Sequence, residues 1–314
     1  SNYSVYRAKD TPIHRTGGVA SGPVSKMRMI NEIGRGVMQG GSRRSAIYAS
    51  LLHSHPDAME FLYSKDWHKL PVGSTGLSYW DIKQQDFNFP APLDMTNISL
   101  DYNTEWLMKY ISSGDPGPTF KANVLQALST GEPGFSFNFF DKENEVLRNA
   151  CTEVCSEDDS DVCNLGSINL GRIDSVATLA SVVDLGIKFL ICGTLKADLP
   201  YEKVYKVREK NRRLGLGLMG VHEWLLKRNY RYEVVPELHQ WLSVYKGVSD
   251  ASSKSAAHTL SVSCPVANRA IAPTGSIGIL AGTTTGIEPL FAVAYKRRYL
   301  KTGTKWVHQY VVDS

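Results

Sequence analysis

Cysteine is scarce in this chain, and charge of neither sign dominates it. Five cysteines in 314 residues, at positions 151, 155, 163, 192 and 264, are too few and too unevenly spaced for the disulfide framework of a small secreted protein. The 35 basic residues are scattered among 31 acidic ones for a net charge of +4, which excludes the basic stripe of a nucleic-acid-binding domain. The most apolar window, Val176 to Gly193, carries Asp184 and Lys188 in its interior. A membrane span disfavours such charges, and the window reads as a buried helix. No signal peptide, internal repeat or low-complexity tract stands out. Together these absences point to a cytoplasmic globular protein without direct nucleic-acid or membrane partners. With 42% hydrophobic residues, it can bury a sizeable core.

What is present alternates between strand-like and helix-like stretches. Pro23 suits the first turn of a helix whose apolar positions Val24, Met27, Ile30, Ile33 and Val37 recur at spacings of three and four. Strand-like runs follow at Ile47 to Leu52, Thr96 to Leu100, Gly134 to Phe140 and Cys163 to Leu170. Helical material lies between them, with further helices expected from about Ser175 and from about Gly217. Phe135, Phe137 and Phe139 read as core. The alternation argues for α/β architecture with strands covered by helices.

The segment Asn149-Ala-Cys151-Thr-Glu153 is the most informative. If it is extended, Asn149, Cys151 and Glu153 point to one side. An amide, a thiol and a carboxylate then converge, with Cys163 as a possible second sulfur, and redox or radical chemistry is the natural use. A structural zinc site would need a fourth ligand near Cys151, Cys155 and Cys163, whereas the nearest downstream histidine is His222. No metal is assigned. Gly215-Leu-Gly217-Leu-Met-Gly220 matches a dinucleotide-binding turn, but the charged run Arg208 to Arg213 before it is unlike a central strand, and close helix packing accounts better for the glycines. Ala272-Pro-Thr274-Gly-Ser276-Ile277 places hydroxyls and glycine where a loop turns into a helix, which suits either a phosphate or a plain cap.

In this order the motifs resemble those of the ribonucleotide reductase catalytic subunits. The carriers are Gly17-Gly-Val-Ala-Ser-Gly-Pro23, Gln39-Gly-Gly-Ser-Arg-Arg44, Asn149-Ala-Cys-Thr-Glu153, Cys163-Asn-Leu-Gly-Ser-Ile-Asn169, Arg213-Leu-Gly-Leu-Gly-Leu-Met-Gly220, and Ala272 to Ile277 followed by Gly286-Ile-Glu-Pro289. The resemblance implies one catalytic domain over residues 1–314, a ten-stranded α/β barrel of two parallel half-sheets with a central finger loop. It implies reduction of ribonucleotides by thiyl-radical chemistry. Cys151 would remove the 3′ hydrogen, Glu153 would act as base, Asn149 would orient the ribose, and Cys163 would be one of two reducing cysteines. Thr274, Gly275, Ser276 and Ile277 would hold the substrate phosphates.

By the same resemblance, Thr16, Gly17 and Gly18, with Gln39, Gly40, Gly41, Arg43 and Arg44, would form loops linking the active site to a dNTP or ATP effector site at a homodimer interface. The helices after Pro23 and Ser54 would supply the dimer contacts. The radical would come from adenosylcobalamin in preference to a separate metal-bearing small subunit, with a thioredoxin-like reductant as a further partner. The chain departs from the family pattern: no cysteine precedes Cys151 to complete the redox pair, and the N-terminal activity domain and the C-terminal tyrosine and cysteine pairs that the resemblance implies are not in this sequence. It is therefore expected to be a fragment or one piece of a split enzyme that does not turn over alone. A non-catalytic nucleotide-binding piece is the alternative, and a nicotinamide-dependent oxidoreductase resting on Gly215 to Gly220 a more distant one.

Overall fold

The structure, a computed structural model, describes residues 1–15, 17–39, 43–301 and 305–312, with the backbone alone at 38–39, 43–44, 299–301, 305–306 and 308–312. In chain order it begins with α1 (Gly22–Gly36), the short strands β1 (Met38–Gln39) and β2 (Arg43–Arg44), β3 (Ile47–Leu52), α2 (Ala58–Tyr63) and α3 (Tyr79–Gln85). β4 (Thr96–Tyr102), α4 (Thr104–Ser113), α5 (Gly117–Thr130), β5 (Gly134–Phe137), β6 (Leu147–Arg148) and β7 (Cys155–Ser156) follow. Local chemistry sets these helix starts. Pro23 sits in the first turn of α1, a reciprocal Ser78–Asp81 capping box opens α3, and Asn103 Oδ1 accepts from Trp106 N at 3.1 Å to open α4.

Residues 1–157 with 296–310 form one unit. Its centre is the parallel sheet β3-β4-β5, in which Ala49 lies beside Ile98, Ser50 beside Ser99, and Asp101 beside Ser136. Alternation sends Ala49, Leu51, Ile98, Leu100, Tyr102 and Phe135 to one face, where Met27, Phe61, Trp106 and Phe120 from the helices complete a core. The other face carries Tyr48, Ser50, Ser99, Asp101 and Ser136, all buried. Parallel sheets ordinarily present apolar residues on both faces, so this polar face is the unusual feature of the unit. Phe137, read from sequence as core, is 48% exposed at the edge of the aromatic cluster.

Residues 158–295 with 311–314 form the second unit. Its elements are β8 (Asn164–Asn169), α6 (Val176–Lys196), α7 (Glu202–Asn211), β9 (Leu214–Met219), α8 (Val221–Lys227), α9 (Pro236–Thr259) and α10 (Gly275–Ala281). β10 (Ala294–Lys301) and β11 (Lys305–Val312) close the chain as a pair. β8 and β9 are parallel, with Gly166 beside Leu216 and Ile168 beside Leu218. Leu214, Leu216 and Leu218 pack with Leu179, Val183, Ile187 and Ile191 of α6 and with Trp241 of α9. α6 is long and apolar enough to cross a membrane, yet its inward residues belong to this core. The stretch from Gly217 expected to enter a helix is instead the end of a buried strand, and α8 begins only at Val221.

The expected ten-stranded barrel is not what the strands build. Among the described residues, parallel strand pairing is confined to β3-β4-β5 and β8-β9, while β1-β2 and β6-β7 are antiparallel pairs. Closure requires every strand to be paired along both edges. Here β5 has only β4 as a neighbour in its sheet and β8 only β9, so the sheets stay open.

Candidate active site

The hairpin β6-β7 carries the central motif. Leu147 pairs with Ser156 and Arg148 with Cys155, leaving 149–154 as its loop. The segment is thus turned, not extended: Thr152 has φ of 68°, and its N–H donates to the Asn149 carbonyl at 3.1 Å. Asn149 Oδ1 accepts from Val154 N at 3.1 Å, so this amide oxygen helps to close the loop. Asn149, Cys151 and Glu153 therefore share one tight loop, without the one-sided alternation of a strand. Cys151 is exposed at the tip, and Glu153 has a buried carboxylate oxygen, Oε2, with no hydrogen-bond partner. A buried acceptor left open in this way suits a group that receives a proton or a hydroxyl from a ligand.

The loop lies over the polar face of β3-β4-β5. Asn97 Nδ2 donates to the Ala150 carbonyl at 2.6 Å, and Arg148 donates to Ser136 Oγ at 2.9 Å and Asn138 Oδ1 at 2.6 Å. Ser136 Oγ in turn meets the Tyr48 hydroxyl at 2.7 Å. Asp101 completes this face, and burial pushes its carboxyl up to about 6 against the opposing influence of the Ser50 hydroxyl and the Arg148 charge. Those neighbours favour the charged form without closing a hydrogen bond of normal geometry to either oxygen. None of these supporting residues emerged from motif reading. Their one sequence signal is the alternation Asn97, Ser99, Asp101 within an otherwise apolar strand.

The second unit holds the remaining candidates. Cys163 immediately precedes β8, and its sulfur lies against Gly215, where a Cβ would come within 3.1 Å of it. Gly217 has no room for a Cβ because the Ala270 carbonyl oxygen occupies that space. The glycines of β9 thus admit the segment 266–270, which pairs with the strand through Leu214 N to Ala267 O at 2.9 Å and Ala270 N to Leu216 O at 3.2 Å. Strand packing, rather than the helix packing expected from sequence, is their reason. That segment leads into Thr274, which is buried with φ of 51° and accepts from Gly286 N at 2.7 Å through Oγ1. Thr274 makes no side-chain cap to α10, whose first residues are Gly275, Ser276 and Ile277.

Downstream, Thr283 binds Asn169 and Glu223, and Lys227 pairs with Glu223 at 2.7 Å. Although burial opposes it, these partners hold the Glu223 carboxyl below the usual range. Of the expected effector loops, Gly17 and Gly18 lie in a turn closed by Ile13 N to Gly18 O at 2.8 Å, and Gln39 pairs with Arg43 in the β1-β2 ladder. Thr16, Gly40 and Gly41 lie outside the described residues, as do the side chains of Gln39, Arg43 and Arg44.

The family described as "Ribonucleotide reductase, barrel domain" matches residues 1–80, 103–240 and 266–314. The chain belongs to this family. The matched regions include the Cys151 hairpin, Cys163 with β8 and β9, and Thr274 to Ile277. The vitamin B12-dependent ribonucleoside-diphosphate reductase of Thermoplasma acidophilum is 30% identical over 95% of this chain and 42% of its own length. The vitamin B12-dependent ribonucleoside-diphosphate reductase of Mycobacterium tuberculosis is 29% identical over 94% and 46%, respectively. The ribonucleoside-diphosphate reductase subunit alpha of Chlamydia pneumoniae is 25% identical over 74% and 26%. The chain thus spans less than half the length of these relatives.

Proposed function

We propose that this chain is the catalytic core of a cytoplasmic ribonucleotide reductase, its two units working as one catalytic domain. The observation that carries the reading is the Cys151 loop, which gathers a thiol, an open carboxylate oxygen and an amide over a buried polar surface. As a thiyl radical, Cys151 takes the hydrogen from C3′ of a ribonucleotide and becomes a thiol, leaving the radical on carbon. Glu153 accepts the 3′ hydroxyl proton, and the Asn149 side chain orients the ribose. The 2′ hydroxyl leaves as water and a hydrogen takes its place on C2′, the two protons and two electrons coming from Cys163 and a second thiol that together become a disulfide, while Glu153 returns its proton to the 3′ oxygen. Cys151 then returns its hydrogen to C3′. Thr274, Gly275, Ser276 and Ile277 hold the substrate phosphates, and anchoring the ligand in this way lowers the barrier by orientation.

The relatives from Thermoplasma and Mycobacterium favour adenosylcobalamin over a separate metal-bearing small subunit as the radical source. Two described cavities, of about 180 Å³ beside Lys65, Trp80 and Glu132 and about 420 Å³ beside Arg28, Tyr79 and Pro92, lie apart from the Cys151 loop. These residues form no corrin seat, and the roles given to Cys151, Glu153, Asn149 and Cys163 belong to this chain's own side chains. We further propose a homodimer in which α1 packs on its counterpart, supported by the exposed stripe Met29, Ile30 and Ile33. The loops at 16–18 and 39–44 would relay the binding of a dNTP or ATP effector, and a thioredoxin-like dithiol would restore the reduced state.

Replacing Cys151 by Ser in the full protein tests the proposal. Formation of 2′-deoxyribonucleotide should fall to background while ribonucleotide binding stays within about twofold, because the change removes the reacting sulfur and no binding contact. Sustained reduction by that variant would overturn the reading.

A further inference from the structure

The polar face beneath the Cys151 loop holds more than a loop needs for seating. Asp101 is 3% exposed, and the Ser50 and Ser136 hydroxyls lie against its carboxylate without closing a hydrogen bond of normal geometry to either oxygen. Asn138 Nδ2, on the same face, is also buried without a partner. Native structures satisfy nearly all buried polar atoms, and a cluster of exceptions is maintained at a cost in stability. The side-chain cation acting on Asp101 is Arg148, which is joined directly to Asn149 in sequence and tied through Ser136 to Tyr48. Asn97 holds the carbonyl of Ala150, the residue before Cys151.

We propose that Arg148 and Asn97 are positioning residues that fix the base and the tip of the Cys151 loop, and that Asp101 is the buried counter-charge keeping Arg148 in place. This inference rests on the reading of Cys151 as the reacting group. It adds residues to those the family motifs supply, and Asn97 and Asp101 lie in the stretch 81–102 that the family match leaves out.

The electrostatics give the idea its own signature. Burial raises the Asp101 carboxyl to about 6, so it is charged above that pH and neutral below it. The groups facing it are Arg148 from β6, Tyr48 from β3, the Ser50 and Ser136 hydroxyls, and the amino group of Ser1 beside β3. A raised carboxyl weakens the fold whenever it is ionised. Retaining one under a reactive loop fits a residue kept for function at the expense of stability.

The test compares Arg148→Gln, Arg148→Lys, Asn97→Ala, Asp101→Asn and Cys151→Ser in the full protein, measuring kcat, KM and the thermal unfolding midpoint from pH 5 to pH 8.5. Arg148→Gln and Asn97→Ala should lower kcat about 10- to 100-fold with KM within about twofold, as expected for a misplaced reacting group. Arg148→Lys should recover part of the loss. The unmodified protein should change in kcat as pH passes about 6, and Asp101→Asn should lower kcat, abolish that change and raise the unfolding midpoint above pH 6. A purely structural Asp101 would not separate stability from rate in this way. Normal kcat in Arg148→Gln and Asn97→Ala would overturn the inference, as would losses explained by unfolded protein or an Asp101→Asn variant with unaltered kcat and pH profile. If Cys151→Ser still reduces ribonucleotides, the catalytic reading fails and takes this inference with it; if only Cys151→Ser is inactive, the positioning claim fails alone.

Discussion

The two parallel sheets hold a neighbouring segment close by opposite devices. In β3-β4-β5 the device is side chains: Asn97 and Arg148 hold the hairpin over hydroxyls and a carboxylate. In β8-β9 it is their absence: Gly217 lets the backbone at Ala270 lie directly on β9, and Gly215 leaves room for the side chains of Leu165, Ala270 and Cys163. A contact made by side chains can be tuned by substitution and by pH. One made by backbone hydrogen bonds tolerates little, because any added carbon meets a carbonyl or a ring of packed atoms. The first arrangement suits a loop that bears chemistry, the second a segment that must stay fixed while it presents Thr274.

The comparison would break most visibly at Gly217. Gly217→Val drives a branched side chain into the Ala270 carbonyl and should cost about 3 kcal/mol or more in urea unfolding. A loss below about 1 kcal/mol would show that 266–270 yields easily, and the contrast between the sheets would disappear.

Asp101 sharpens the contrast from the other side. Its folded pKa, about 6, lies above the ordinary 3.8, so its stabilising contribution is complete below about pH 3.8 and is lost as pH rises through about 6. The difference of roughly two pKa units corresponds to about 3 kcal/mol. Asp101→Asn should therefore be more stable than the unmodified protein at pH 8 by up to about 3 kcal/mol, with the gain shrinking towards pH 4. Denaturant titrations at the two pH values measure this directly. The smallest effect on stability is expected at Asn149, where Ala removes the bond to Val154 N and should cost about 1 kcal/mol while lowering turnover far more.

Much of this organisation was legible in the residues. Branched and aromatic runs marked β3, β4, β5 and β8, and the motif around Cys151 marks the loop that we propose carries the chemistry. β9 was misread because Leu-Gly alternation lacks the branched residues of a strand, and only the approach of Ala270 explains the glycines. Barrel closure came from family resemblance, and the open edges of β5 and β8 overrule it. Asn149, Cys151 and Glu153 are expected on one side of an extended segment, whereas the chain turns at Thr152 and the three share one loop without that alternation. Asp101 and Arg148 escaped notice because each is ordinary alone. Their meaning depends on the sheet register that sets Asp101 beside Ser136 and on the hairpin that brings Arg148 to that serine.

The most direct test of Cys151 chemistry is a single-turnover reduction by the full protein of ribonucleotides deuterated at C3′ or at C2′, under conditions where the chemical step limits the rate. The expected result is slower product formation with deuterium at C3′ and an unchanged rate with deuterium at C2′, since only the C3′ hydrogen passes to the Cys151 sulfur. Slowing with the C2′ label and none with the C3′ label would contradict it.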